Sequence, residues 1–401
     1  MVSTGASAAL GLAFWVVAAR LVRPSEVGRA SAEISAMTLL ATLSQLNLVN
    51  IYTRFLPAAG ARARRFVLAG YATCLSIGLA TGAGFALLGG GRSILHPGAG
   101  PAALFAVAVG LWTVFVIQDS VMTGLRASRW VPVENASFSA AKLLLLVFLA
   151  TGGAQGVFLA WALPVVPVVV VVNLYLFSRR IPLHVAASGG ASALPTRRRL
   201  ASFVAAEYAA SLVTSVATYL LPIVVVDSLG AKAGAYFYVP WVVGVVLHAL
   251  LWNISTAYVV EAGYSRERLA ALLRRSTRLA GMLFVPALVV LVTAAPLLLG
   301  VLGSGYASHG TTLLRLVALS TVPTGLTVLY ETFIWYEARL WRFAAVEAAR
   351  VAVFLALSIG LLTTLHIEAA GVGLLVSQLA VALVVLPAIV RRWRALSVEA
   401  T

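Results

Sequence analysis

The sequence predicts an all-α membrane protein of about twelve transmembrane helices, arranged as two six-helix repeats. Three observations carry this expectation. Of 401 residues, 61% are hydrophobic and 10% charged, with a mean hydropathy of +0.98; a soluble chain of this size carries about a quarter charged residues. Apolar runs of roughly 20 residues, long enough to cross about 30 Å of hydrocarbon, recur along the whole chain. The basic residues gather in short polar segments between alternate runs, so the net charge of +16 reads as membrane orientation rather than nucleic-acid binding.

The first span, 2–19, follows Met1 with no basic segment ahead of it, so no cleavable signal peptide is expected. The second, 31–53, carries a polar face: Ser31, Ser35, Thr38, Thr42 and Gln45 recur every three or four residues, continued by Asn47, Asn50 and Arg54. A third, 66–89, contains Gly78 and Gly82 at the spacing that lets two membrane helices approach closely. Asp119 lies in the fourth, 101–124, and Lys142 in the fifth, 132–151. There Ser139-Ala-Ala-Lys142 matches S-x-x-K only formally, because its companion motifs are missing. The sixth span is 156–178.

The stretch 179–199, rich in Gly, Ser, Pro and Arg, reads as a cytoplasmic linker. Beyond it the seventh span, 200–226, repeats the polar pattern with Glu207, Ser211, Thr214, Ser215 and Thr218. Spans 234–259, 279–302, 311–335, 343–364 and 369–390 complete the set. Arg315 and Glu331 lie in the tenth; Glu347 and Arg350, three apart in the eleventh, are placed to pair. The expected organisation is an N-terminal bundle 1–178, the linker 179–199, a C-terminal bundle 200–390 and a tail 391–401.

Orientation follows from the loops. Those after even-numbered spans, with the tail, hold twenty Arg, including Arg62, Arg126, Arg179, Arg197, Arg274 and Arg391. Those after odd-numbered spans hold five basic residues: Arg20, Arg23, Arg29, Arg92 and Lys232. Both termini are therefore expected in the cytoplasm. The dominance of Arg over Lys, with the Ala content, points to a GC-rich bacterial genome and hence to a bacterial cytoplasmic membrane.

The halves echo one another. Arg126, Arg129, Trp130, Val133, Glu134 and Ala136 after span 4 match Arg339, Arg342, Phe343, Val346, Glu347 and Ala349 after span 10, at a constant offset of 213. Pro24-Ser-Glu-Val-Gly28 likewise echoes Gly230-Ala-Lys-Ala-Gly234. Six spans per repeat start the two halves on the same side, so the repeats are parallel.

Ionised groups at membrane depth are costly and tend to be functional. Arg54, Lys142 and Arg315, with Gln45, Asn47 and Asn50, are the candidates for contacting a substrate; Asp119 and Glu207 are the candidates for an ion. Ser and Thr stripes also serve as helix-packing contacts, and that reading stays open. No phosphate-binding loop and no metal motif occurs, and Cys74 is the only cysteine. Neither a catalytic residue, a metal nor a cofactor is expected.

Ala19-Arg20-Leu-Val-Arg23-Pro24-Ser-Glu26-Val-Gly28 and Thr123-Gly124-Leu-Arg126-Ala-Ser-Arg129 resemble motifs of O-antigen-type polysaccharide-biosynthesis flippases, in the multidrug/oligosaccharidyl-lipid/polysaccharide exporter superfamily. The resemblance covers the whole chain. It implies a V-shaped pair of six-helix bundles working by alternating access on an undecaprenyl-pyrophosphate-linked oligosaccharide. It also implies a cationic cavity to which Arg54 would belong, with membrane lipids, glycosyltransferases and a polymerase of the same pathway as partners. Two rivals stay in view: a cation-coupled multidrug antiporter of the same fold, and an integral-membrane glycosyltransferase or ligase. The second would want a large extramembrane loop with clustered catalytic groups, which this sequence lacks.

Overall fold

All twelve apolar segments lie on helices in the computed structural model, which describes residues 2–89, 92–188, 194, 197–264, 269–336 and 340–398. In chain order the helices are α1 Val2–Leu21, α2 Pro24–Ser44, α3 Leu48–Phe55, α4 Ala63–Leu87, α5 Ala99–Gly124, α6 Val131–Leu149, α7 Gly153–Ala162, α8 Val165–Tyr175 and α9 Ile181–Ala187. They continue as α10 Arg197–Leu229, α11 Ala231–Tyr264, α12 Leu269–Thr293, α13 Ala295–Gly300, α14 Ser304–Tyr336, α15 Leu340–Gly360, α16 Leu362–Leu365 and α17 Glu368–Val398. No strand occurs among the described residues.

Seven of the described helical runs are long and apolar enough to cross a membrane, or eight if α2 and the helix after it form one bent span. One run, 128–187, contains both the fifth and the sixth expected spans. Two shorter apolar helices, Ala9–Leu21 and Gly281–Thr293, fall on the first and ninth. The expected eleventh span is helical as α15 and carries Glu347 and Arg350 inside it. The chain is a multi-pass membrane protein.

Two compact units divide the chain, Met1–Ala235 and Tyr236–Thr401. The sequence puts the division at 179–199, whereas α10, which follows that segment, packs along α2 in the first unit. The start of the linker is itself helical. One π-turn, Leu176–Arg180, leads from α8 into α9. Leu176 and Ile181 are buried in a core with Tyr52, Val67, Ile117 and Val121, which holds this stretch against the bundle. Residues 189–193, 195 and 196 lie outside the described residues.

The motifs that carry the resemblance shape the first unit. Pro24 opens α2, where its missing N–H costs no hydrogen bond. Two residues on, the Glu26 carboxylate accepts from the backbone N–H of Ala154, at 2.9 Å, in the first turn of α7. An acid at that end satisfies an unpaired donor and opposes the helix dipole. Glu26→Ala should therefore lower stability by about 1 kcal/mol, read as a fall in Tm of the purified protein. In the second motif, Arg126 takes a positive φ of 57°. The turn is closed by Arg180, whose guanidinium donates to the carbonyls of Leu125 and Arg126 at 2.6 and 2.9 Å.

Small residues set the closest helix contacts. A Cβ on Gly78 would stand 2.9 Å from Gly110 Cα, and one on Gly82 2.8 Å from Ala106 Cα, so the glycine pair seats α4 on α5 as its spacing predicts. Gly28 of α2 meets the start of α11 in the same way: a Cβ there would lie 1.7 Å from the Ala231 carbonyl oxygen. Gly234, its repeat equivalent, would place its own Cβ 3.6 Å from Gly28 Cα.

Candidate functional site

The polar stripe of the second span divides into two parts. Its hydroxyls are used on their own helix: Ser31, Ser35, Thr38 and Thr42 each donate to a carbonyl three or four residues back, at 2.7–2.8 Å. Such back-bonding satisfies the hydroxyl without any partner outside the helix. Ser44, off that face, bonds Leu40 O and meets the Thr81 hydroxyl at 3.0 Å.

The amides and Arg54 behave differently, because the helix breaks beneath them. Leu46 and Asn47 take positive φ values of 49° and 57°, and α2 and the helix from Leu48 to Ala58 meet at a 49° bend. Asparagine tolerates the left-handed region, but a leucine there costs roughly 1–2 kcal/mol, so the packing around Leu46 must impose the break. The Tyr208 hydroxyl of α10 donates to the carbonyl of Leu43, just before it. At the bend the buried Gln45 Oε1 and Asn47 Nδ2 have no hydrogen-bond partner. Asn47 Oδ1 accepts from Asn50 Nδ2 at 2.9 Å. One turn further Arg54 stands exposed, its guanidinium 5.7 Å from the Phe55 ring centre. Gln45 and Asn47, buried, and Asn50 and Arg54, exposed, thus follow one another across the break, with Asn47 and Asn50 bonded to each other.

The other candidates lie elsewhere. Lys142 of α6 is 4% exposed inside the first unit. Its ammonium lies 3.6 Å from the centre of the Trp161 ring, 5.0 Å from Phe138 and 5.5 Å from Phe14. Rings from α1, α6 and α7 thus supply the cation–π environment, with no ion pair to Lys142 among the described residues. Arg315 belongs to the second unit, where it is exposed and donates to the Val292 carbonyl at 2.9 Å. Glu207 falls on α10, and its side chain lies outside the described residues.

Asp119 sits in a polar cluster where α4, α5, α6 and α8 converge. Asn173 Nδ2 donates to Gln118 Oε1 at 3.0 Å, Gln118 Nε2 to Glu134 Oε1, and Asn135 Nδ2 to Asp119 Oδ2 at 3.1 Å. The Asp119 and Glu134 carboxyls lie within hydrogen-bonding reach of each other. Glu134 and Ser137 also line a largely apolar groove of about 510 Å³, together with Trp130 and Tyr175.

The second unit holds the corresponding pair. The Arg350 guanidinium makes two bonds to Glu347 Oε2, the Nε contact at 3.1 Å, and Glu331 lies beside Glu347. Gln118 and Glu331 are separated by the same 213 residues as Glu134 and Glu347, a signal that was present in the sequence and passed over. Glu33, buried in the middle of α2 with Oε2 unpartnered, is a further ionisable group that the polar-stripe reading missed, because it lies off that stripe. Among the described residues no three His, Cys, Asp or Glu side chains are arranged to hold a metal ion.

No family model and no curated protein sequence matches this chain. Solved structures do. An inward-facing multidrug-resistance transporter of the MATE family, in the MOP superfamily, aligns over 98% of this chain and 96% of its own, with a TM-score of 0.71 and 15% identity. The lipid II flippase MurJ, in an inward closed conformation, aligns over 99% and 89%, with a TM-score of 0.69 and 11% identity. A MOP-superfamily transporter from Pyrococcus furiosus, described as having a binding pocket of reversed polarity, aligns over 99% and 95%, with a TM-score of 0.64 and 15% identity. The chain has the fold of the MOP-superfamily transporters.

Proposed function

We propose that this protein is an alternating-access flippase that carries a lipid-linked anionic glycan, of the undecaprenyl-pyrophosphate class, across a bacterial cytoplasmic membrane, with both termini in the cytoplasm. The observation that carries the reading is the broken second span, which presents Arg54 with Asn47, Asn50 and the unpartnered amide oxygen of Gln45. Burying a pyrophosphate unpaired in hydrocarbon is prohibitive. A guanidinium offsets that cost with charge-assisted, bidentate hydrogen bonds, and the amides serve the sugar hydroxyls. Interruptions of membrane helices are tolerated where they line protein or water, which is where a substrate travels. An inside-negative potential favours outward movement of the anion by roughly 2.3 kcal/mol per charge per 100 mV. The fold shared with a lipid II flippase supports the same reading.

The second reading, a cation-coupled drug antiporter, draws on the fold shared with a MATE transporter and on the adjacent Asp119 and Glu134 carboxyls. One experiment separates them. In proteoliposomes carrying a fluorescent polyprenyl-pyrophosphate glycan, Arg54→Ala protein at wild-type abundance should flip the lipid at least about tenfold more slowly, the loss expected from one charge-assisted bond. An unchanged rate, or export of lipophilic cations with no lipid flipping by the wild type, sinks the flippase reading.

A further inference from the structure

The groove of about 510 Å³ in the first unit is walled by α6 on one side and by α8 on the other. Its walls stay open to the surroundings: Val133 of α6 is 52% exposed and Val171 of α8 64%. In a membrane protein such apolar surface meets hydrocarbon. The depth of the groove is that of one leaflet. Pro167 and Tyr175 both line it, and their spacing along α8 gives it a length of about 12 Å at 1.5 Å per residue. Half of roughly 30 Å of hydrocarbon is little more. Ser137 keeps the α6 side clear, where the 213-residue offset puts Arg350 in the second repeat.

One end of the groove is marked by its residue types. Among the lining residues, Trp130 stands just before α6 and Tyr175 closes α8, so both lie where these antiparallel helices begin and end together. Their rings meet edge to face, 6.0 Å between centres. Tryptophan and tyrosine favour the boundary between hydrocarbon and water. Arginines follow beyond them. The Arg129 guanidinium lies 5.7 Å from the Trp130 ring centre, and Arg179 comes about one turn after Tyr175. Arg126, Arg129 and Arg179 are all exposed. Glu134, the acid in the lining, is 6% exposed and is engaged by Gln118, so the accessible charge at this end is positive.

We propose that this groove binds an anionic phospholipid of the phosphatidylglycerol class, drawn from the leaflet at the arginine-rich end of the protein. One acyl chain lies along α8 from Tyr175 to Pro167, and Arg129 and Arg179 hold the phosphodiester. Guanidinium groups make charge-assisted bonds to phosphate oxygens, which selects the negative headgroup. A choline headgroup cancels its own phosphate and would bring a further cation among three arginines. The bound chain braces α6 against α8. This lipid is a resident of the protein rather than its cargo, so the proposal stands whatever the protein transports.

The test is native mass spectrometry of the purified, delipidated full-length protein in detergent, with melting followed in parallel. It is offered palmitoyl-oleoyl phosphatidylglycerol, the matching phosphatidylcholine, or undecaprenyl phosphate. Wild type should bind about one phosphatidylglycerol per chain, at least about tenfold more tightly than phosphatidylcholine, and gain Tm saturably. Arg129→Ala with Arg179→Ala should remove the preference and leave weak binding of both phospholipids. Ser137→Trp should fill the groove and abolish binding of both. Arg64→Ala with Arg65→Ala, exposed on α4 and outside the groove, should bind as wild type does. Equal affinity for the two phospholipids overturns the proposal. So does an equal loss in the Arg64 and Arg65 variant, which would mean a diffuse basic surface, and so does a preference for undecaprenyl phosphate, which would make the groove a cargo site. If Ser137→Trp fails to fold, Val171→Trp blocks the same groove from an exposed wall position, and unchanged lipid binding in that variant overturns the proposal.

Discussion

Replacing Arg350 with methionine should destabilise the protein by about 3–5 kcal/mol, the cost of leaving a buried carboxylate without its partner. Glu347 is 3% exposed and Arg350 5%, and two bonds join them. Glu331, 1% exposed with Oε1 unpartnered, stands next to Glu347, so removing the guanidinium leaves two acids without the cation that is bonded to Glu347 among the described residues. The size of the effect discriminates. Neutral hydrogen bonds between membrane helices average about 0.6 kcal/mol by double-mutant cycle, so a loss of that order would mean the pair acts as ordinary packing. The triple variant Glu331→Gln, Glu347→Gln, Arg350→Met should recover most of the loss, because it removes the charges together. Denaturant or thermal unfolding in one detergent, with all variants measured side by side, gives both numbers. A single variant within 1 kcal/mol of wild type would sink the argument.

The same pair shows what a sequence can carry. Glu347 and Arg350 are three apart on one helix, and local spacing alone places them together. Gly78 and Gly82 were legible for the same reason: small residues at i, i+4 make one face, and that face meets α5. The long helices follow from hydrophobic run length, which the bilayer imposes whatever the tertiary structure. The break at Leu46 and Asn47 does not follow. No glycine or proline marks it, the polar spacing runs through it unchanged, and leucine disfavours a left-handed backbone. Only packing against neighbours, Tyr208 among them, accounts for it. Lys142 failed to declare itself for a related reason. A lysine in an apolar span suggests an acid or water nearby, but here three aromatic rings from separate helices enclose it. Likewise the Ser and Thr face of α2 has the period of a cavity lining, and back-bonding to carbonyls has that period too.

The residues that carried the resemblance turn out to be those that shape the backbone. Glu26 caps α7, Gly124 faces the Tyr52 carbonyl, with a Cβ there standing 2.6 Å from its oxygen, and Arg126 turns the chain under the clamp of Arg180. None of these contacts involves a substrate. Such motifs report how α2, α5 and α7 are joined, which is why they pointed to a fold shared by drug transporters and a lipid flippase alike. Substrate choice has to reside in groups other than these, and the proposed function places it on the exposed Asn50 and Arg54 of α3.

Gly28→Ala is the substitution expected to do the most damage for the least added mass. A methyl group there would sit 1.7 Å from Ala231 O and 2.8 Å from both Ala231 C and Ala235 N. All three are backbone atoms, so no rotamer change relieves the overlap. Either α2 moves away from the start of α11 by more than an ångström, or the variant does not fold. Overpacking by one methylene in a yielding core costs about 1–3 kcal/mol, and this contact has no yielding side chain, so the loss should exceed that range. Moving α2 would also disturb Val27, Ala30 and Ala32, which are fully buried along the same helix. Gly84→Ala provides the control, because a Cβ on Gly84 meets nothing within 4 Å. There alanine should be neutral or stabilising by up to about 1 kcal/mol, since it favours the helix. Folded yield by fluorescence-detected gel filtration, followed by Tm, compares the two. Equal behaviour of Gly28→Ala and Gly84→Ala would mean that α2 and α11 do not touch at Gly28. A collapse confined to Gly28→Ala would show that the glycine echoed between the two repeats is kept for close approach of helix backbones.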